Sequence, residues 1–245
     1  MAYYKMICCE VLFREVCLEC AHSPHQIDLS FNRFGLHGVS QQQMQTELQA
    51  LVDGGQKRDY DAVLMGYGLC NNGLLGLTAR EIPVVVPRAH DCISLLLGSK
   101  ERYREEFDQE PGTYYDSPGW IEHHHPGDED YLYGKLGMTM SRAEMVERYG
   151  EENADYLMET MGGMGGHNQS DKRRAYIDTG VGPTEQLEKH SRQVAQDKGW
   201  NFERMKGDRR LIRMLVNGQW PGEEFLVIAP GQKLKATHDE RVIGT

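Results

Sequence analysis

Ile82-Pro-Val-Val-Val-Pro-Arg-Ala-His-Asp-Cys-Ile-Ser-Leu-Leu-Leu97 decides the fold class. A β-branched run suited to a buried strand ends at Pro87, a short polar loop follows, and an apolar helix begins near Cys92; strand, loop and helix in that order are half of a βαβ unit. The same grammar extends outward. Residues 5–11 read as a buried strand and 12–21 as a helix, with Leu12, Val16 and Cys20 at helical spacing. Ile27, Leu29 and Phe31 alternate like a strand, and Ser40 caps a helix that Asp53-Gly54-Gly55 stops near residue 52. Residues 61–66 form a third strand leading into Tyr67-Gly-Leu-Cys-Asn-Asn-Gly73 and a short helix. Further along, strands at 174–178, 202–205 and 225–229 alternate with helices at 184–198 and 208–216. The expectation is an α/β protein of two lobes with largely parallel sheets flanked by helices.

The lobes are expected at residues 1–100 and 172–245, joined by an irregular, Gly- and aromatic-rich insertion at 101–171. Within the insertion, a charged helix precedes Pro111-Gly-Thr-Tyr-Tyr-Asp-Ser-Pro-Gly-Trp120, a helix starts near Ser141, and Met161-Gly-Gly-Met-Gly-Gly166 reads as a hinge or a loop that closes over a site. With 245 residues and 39% hydrophobic content the chain carries an ordinary globular core, and its formal net charge of −10 repels phosphate backbones, so nucleic acid is a poor partner. No stretch approaches the ~20 apolar residues of a membrane span, and the N-terminus does not read as a signal peptide. Six cysteines in such a chain are expected as reduced thiols or ligands in the cytoplasm rather than as a disulfide framework.

The chemistry-bearing residues follow strands. Cys9 ends the first strand, Cys70 follows the third, and His90 and Cys92 follow the fourth, so three segments deliver soft or borderline ligands to the carboxyl edge of one sheet, where open α/β sheets bind ligands. Three thiolates and an imidazole suit a tetrahedral Zn²⁺, and three protein ligands with an open position make such an ion catalytic. His90-Asp-Cys92 with a distant third cysteine resembles the ligand set of thiol-activating zinc methyltransferases such as cobalamin-independent methionine synthase and the methylcobamide:coenzyme M enzymes. Three thiolates also suit an iron–sulfur cluster with one open site, and paired cysteines without metal suit acid/base or nucleophilic catalysis of the racemase kind.

Around this cluster, Arg88, His37 and Asp91 are the catalytic candidates: Arg88 to bind a carboxylate or phosphate, His37 as proton donor or extra ligand, and Asp91 as a catalytic group, its structural role being to cap the helix at Cys92. Tyr67, Tyr115 and Trp120 are candidates to wall a cofactor or flat substrate. Cys17 and Cys20 form a CxxC inside a helix and read as structural, and Cys8 should face away from Cys9 across the strand. His123-His124-His125 reads as an exposed loop, and Asp178-Thr-Gly-Val-Gly182 as a weak phosphate cradle.

Cys9-Glu-Val with Arg14-Glu15, Leu36-His37, Tyr67-Gly-Leu-Cys70, Pro87-Arg-Ala-His-Asp-Cys92, Leu97-Gly-Ser-Lys100 and Pro111-Gly-Thr-Tyr114 through Pro118-Gly-Trp120 together resemble the bacterial and archaeal family called domain of unknown function 1638. Asn71 departs from the pattern, where a glycine is expected. The resemblance implies an association with anaerobes that run corrinoid-dependent methyl transfer. The expectation is therefore a metal-dependent transferase acting on a small molecule, with a corrinoid protein or methyltransferase as partner, Zn or an iron–sulfur cluster as cofactor, and Cys9, Cys70, His90 and Cys92 as ligands. The rival expectations are a metal-free two-cysteine enzyme and a metal or cluster carrier without catalysis.

Overall fold

The structure is a computed structural model, described here for residues 1–33, 40–55, 59–70, 72–110, 112–123, 173–237 and 241–245. The chain is mixed α/β, with two mainly parallel sheets flanked by helices. The first sheet contains β1 (Tyr3–Cys9), β2 (Gln26–Asn32), β3 (Ala62–Gly66), β4 (Val84–Pro87) and β8 (Phe225–Ile228), in the order β2-β1-β3-β4-β8. All its pairings are parallel except β4 with β8. β3 and β4 are wholly buried, which explains why they read as continuous apolar runs rather than as alternations.

The chain enters at β1, moves to β2 on one side, then crosses to β3 on the other, so the strand order reverses beside β1. Helix α1 (Phe13–His22), preceded by the 3₁₀ turn Glu10–Leu12, makes the first crossover, and α2 (Gln41–Gly55) makes the second. A β-carbon on Gly55 would meet the side chains of Lys5 and Val63 at 3.2 Å, which places α2 on the face that also carries Ile7 and Cys9. Cys8, one residue on, faces the other side, against α1: its thiol is influenced by Cys20 and Cys17.

β4 leads through the loop Arg88 to Asp91 into α3 (Cys92–Leu97), which Asp91 caps by accepting from the N–H groups of Ile93 and Ser94. Helix α4 (Lys100–Gln109) follows, capped by Ser99. The second sheet is β5 (Tyr114–Asp116), β6 (Arg173–Asp178) and β7 (Asn201–Lys206), parallel in that order, with α5 (Pro118–His123), α6 (Thr184–Asp197) and α7 (Arg210–Val216) in the connections that follow its strands. Asp116 anchors it, accepting from Arg174 Nε at 2.5 Å and Nη2 at 2.9 Å and from Ser191 Oγ. A short hairpin, β9 (Lys235–Ala236) with β10 (Ile243–Gly244), ends the described chain.

Two local expectations change. The stretch after Gly73 forms turns in place of a short helix, and the aromatic stretch 114–120 is a strand and a helix rather than irregular chain, because β5 finds its partner in β6, far along the sequence. The strand Phe225–Ile228 returns to the first sheet, beside β4, so residues beyond 172 contribute to both sheets. The helix expected near Ser141, the Gly-rich run 161–166, and His124 and His125 lie outside the described residues. Among the described residues, no helix is long and apolar enough to cross a membrane.

Candidate functional site

The register of the first sheet builds the site. Cys9 pairs with Asn32 of β2, and Cys8 pairs with Gly66 of β3, so Tyr67 stands level with Cys9 one residue beyond β3. Partnered residues on parallel strands share a face. Asn32, Cys9 and Tyr67 therefore form one row across the carboxyl edge of three adjacent strands, at the place where the strand order reverses, which is where open α/β sheets bind ligands.

The other thiols reach this row through two interlocked loops. Leu69 and Cys70 donate their N–H groups to the carbonyls of Ala89 and His90 at 2.8 and 2.9 Å, tying the loop after β3 to the loop after β4. A β-carbon on Gly68 would stand 2.6 Å from Asp91 N and Cα, so the two backbones touch and only glycine fits. Cys70 is held at φ 41°, a left-handed conformation that a residue with a β-carbon adopts at a cost of about 1–2 kcal/mol. All six cysteines are free, and they divide into two groups: Cys8, Cys17 and Cys20 around α1, and Cys9, Cys70 and Cys92 at the carboxyl edge.

Electrostatics follow burial. Cys9, Cys70 and Cys92 are 3, 4 and 5% exposed. Burial pushes Cys9 up to about 11, and raises Cys70 and Cys92 further, with the neighbouring thiols and Asp91 adding to the effect at both. Metal-free, these sulfurs are protonated at neutral pH. Burial likewise raises the Asp91 carboxyl, against the hydrogen bonds it accepts from Tyr103, Ser94 and Ile93. Tyr67 is 1% exposed, and its hydroxyl, next to Cys9, Cys8 and Cys70, has no hydrogen-bond partner among the described residues. Asn32 Nδ2 likewise lacks a partner in close hydrogen-bond geometry among the described residues, and Tyr67 Oη is what it faces: the amide acts there as a hydrogen-bond donor that counters part of the effect of burial.

The remaining expected site residues are placed elsewhere. His90 is exposed, and it is its backbone carbonyl that meets Cys70, so the imidazole is not gathered with the buried thiols. Arg88 donates to the carbonyls of Gly222 at 2.7 Å, Arg241 at 3.1 Å and Ile243, pinning the C-terminal segment to the β4 loop. Tyr115 lies on β5 with its ring edge-on to Tyr103, and Trp120 packs from α5 against the main core. His37 lies outside the described residues. Among the described residues, no three His, Cys, Asp or Glu side chains form, as they stand, a group that could hold a metal ion. Asn32 is the residue that reading the sequence missed, because only strand register places it beside Cys9.

With this geometry in hand, comparison with known families gives one match: the model described as "Protein of unknown function (DUF1638)" covers residues 31–216. The chain belongs to this family. The matched span of this DUF1638 chain contains Asn32, Tyr67, Cys70 and Cys92 and begins after Cys9. No curated protein and no solved structure matches it.

Proposed function

We propose that this protein is a metal-dependent enzyme in which Cys9, Cys70 and Cys92 hold a soft metal ion, zinc, and that its reaction is methyl transfer within corrinoid-dependent one-carbon metabolism. One observation carries the reading: three thiols from three separate segments, each at most 5% exposed, lie near enough to influence one another at the edge of the sheet where α/β folds bind ligands. A single buried cysteine is an ordinary small hydrophobe, but that does not account for the convergence of three at one edge.

The donor chemistry fits a soft ion, since sulfur is the softest ligand a protein offers and three ligands leave one tetrahedral position open. The thiols have to close on the ion and lose their protons as it binds, because they do not stand as a finished ligand group without it. His90 takes no part. When bound, such a centre stabilises a substrate thiolate at neutral pH while leaving it nucleophilic. A small-molecule substrate and a corrinoid protein or methyltransferase are the partners this reaction needs.

Burial disfavours the rival readings. A metal-free two-cysteine enzyme needs an accessible thiolate, and the environment of Cys70 and Cys92 keeps both protonated. A carrier that hands on an ion or cluster presents its ligands to a partner, whereas these sulfurs lie below the surface. Metal analysis by mass spectrometry tests the proposal, on protein purified without oxygen or an affinity tag, beside a Cys70→Ser, Cys92→Ser double variant whose melting curve reports that it is folded. The expected result is about one zinc per chain, absent from the variant. Iron with visible absorption transfers the site to an iron–sulfur cluster. No metal in either preparation, even after reconstitution, overturns the proposal in favour of thiol catalysis.

A further inference from the structure

The loops that carry Cys70 and Cys92 are fastened to each other in both directions. Cys70 donates its N–H to the carbonyl of His90 at 2.9 Å, and its sulfur accepts from the backbone N–H groups of Gly68 and Cys92. The absent β-carbon of Gly68 lets these backbones lie in contact, and φ 41° at Cys70 turns the chain at that point. The Cys70 sulfur therefore rests against the main chain of the residue that carries the next thiol. Cys9 is engaged elsewhere, its sulfur accepting the N–H of Val11 in the 3₁₀ turn that follows it. Burial also restricts the states open to Cys70 and Cys92. Both are at most 5% exposed, and taking charge out of water is costly, so a pair of thiolates is disfavoured whereas a pair of thiols and a disulfide, both neutral, are not.

We infer that Cys70 and Cys92 form a reversible disulfide when the reduced protein meets hydrogen peroxide, which makes this edge of the sheet an oxidation-sensitive site. A disulfide needs α-carbons within about 7 Å of each other, a requirement that two loops joined by their own hydrogen bonds are placed to meet. The Cys70 sulfur, which two N–H groups help to carry charge, attacks the peroxide and becomes a sulfenic acid with release of one water; the Cys92 sulfur then displaces the hydroxyl as a second water. Two S–H bonds and one O–O bond break, one S–S bond and two O–H bonds form, and the two electrons and two protons that the cysteines give up reduce the peroxide to water. A small dithiol reverses the step. Only the two sulfurs are needed, with or without a metal, and the disulfide withdraws both from whatever chemistry the reduced edge performs.

The test uses the full chain, reduced, stripped of metal with a chelator and treated in its folded state with excess hydrogen peroxide; remaining thiols are then alkylated and the protein is digested without reductant for mass spectrometry. The expected product is a single chain lighter by two hydrogen atoms, with the peptides of Cys70 and Cys92 joined, Cys8, Cys9, Cys17 and Cys20 recovered alkylated, and the change reversed by dithiothreitol. Cys17→Ser with Cys20→Ser is expected to give the same linkage, and Cys92→Ser to give oxygen addition at Cys70 with no linkage within the chain. Linkage of Cys70 to Cys9, a bond that forms only in urea, or oxygen addition without linkage in wild type overturns the inference, as does a wild type that peroxide leaves unchanged. Wild type alone decides the outcome, so a variant that fails to fold does not obscure it. Metal content is read separately: zinc without the linkage overturns this inference and leaves the metal centre standing, and the linkage in a protein that takes up no metal does the opposite.

Discussion

At Tyr67 the ring and the hydroxyl of one side chain stand in different conditions. The ring is core, packed at 1% exposure, and the oxygen is buried with no close hydrogen-bond partner among the described residues. Removing a polar atom that has no partner relieves its desolvation cost, so Tyr67→Phe is expected to raise the stability of the ligand-free protein by about 1 kcal/mol, read as a higher melting temperature. Gly68 gives the contrary case. Its missing β-carbon is what lets the loop after β3 lie on the backbone of Asp91, and Gly68→Ala forces 2.6 Å contacts with backbone atoms that cannot rotate away. A loss of about 2 kcal/mol or more is expected in a urea titration. The Gly-x-Cys spacing of 68–70 was visible in the sequence; that glycine is required by contact with a segment more than twenty residues away was not.

The elements of the first sheet were legible because each is locally consistent. β3 and β4 are apolar throughout, α2 is preceded by Ser40 and α3 by Asp91, and the polar loops between them fall where the chain turns. The cap on α3 holds Cys92 at the first helical position. Asp91→Ala removes the acceptor for Ile93 and Ser94 and is expected to cost about 1 kcal/mol, with faster amide exchange across the first turn of α3 as the diagnostic signal. β5 escaped the sequence because three residues between prolines, aromatic and Gly-flanked, carry no periodicity; the strand exists through its pairing with β6, more than fifty residues on. His90 was misleading for a related reason. A loop of two or three residues has no period from which side-chain direction can be read, and here the backbone carbonyl faces inward while the ring faces solvent.

Across the molecule, α1 joins the two sheets through two carboxylates that behave oppositely. Glu19 is buried, which pushes its carboxyl up, but hydrogen bonds from Arg213 and Arg209 outweigh this and hold it below the ordinary value. Glu15, wholly buried, accepts from Thr179 at 2.6 Å through one oxygen while the other meets nothing among the described residues, and burial raises its carboxyl. A raised carboxyl binds its proton more tightly in the folded state, so its contribution favours folding at low pH and is lost as pH rises from 4.5 through the folded value. Glu15→Gln keeps the acceptor for Thr179 and removes the charge. The variant is expected to match wild type below pH 4.5 and to exceed it in stability at neutral pH, with the difference opening just above 4.5 in melting curves taken across pH.

The sequence by itself determined the class of the fold, the first four strands of the first sheet and the position of three cysteines at or after strand ends, because hydrophobic period, caps and turn residues act over a few positions and are written in consecutive letters. It also determined that Cys8 and Cys9 face opposite ways, since alternation along a strand is a local rule. Tertiary structure alone decided which of the two joins Cys70, that Asn32 stands beside Cys9, that His90 points away, and that Phe225–Ile228 returns to the first sheet. Each of these depends on pairing between residues far apart in the chain, and the free energy that selects one pairing comes from burial and register summed over whole strands, which no single stretch of sequence records.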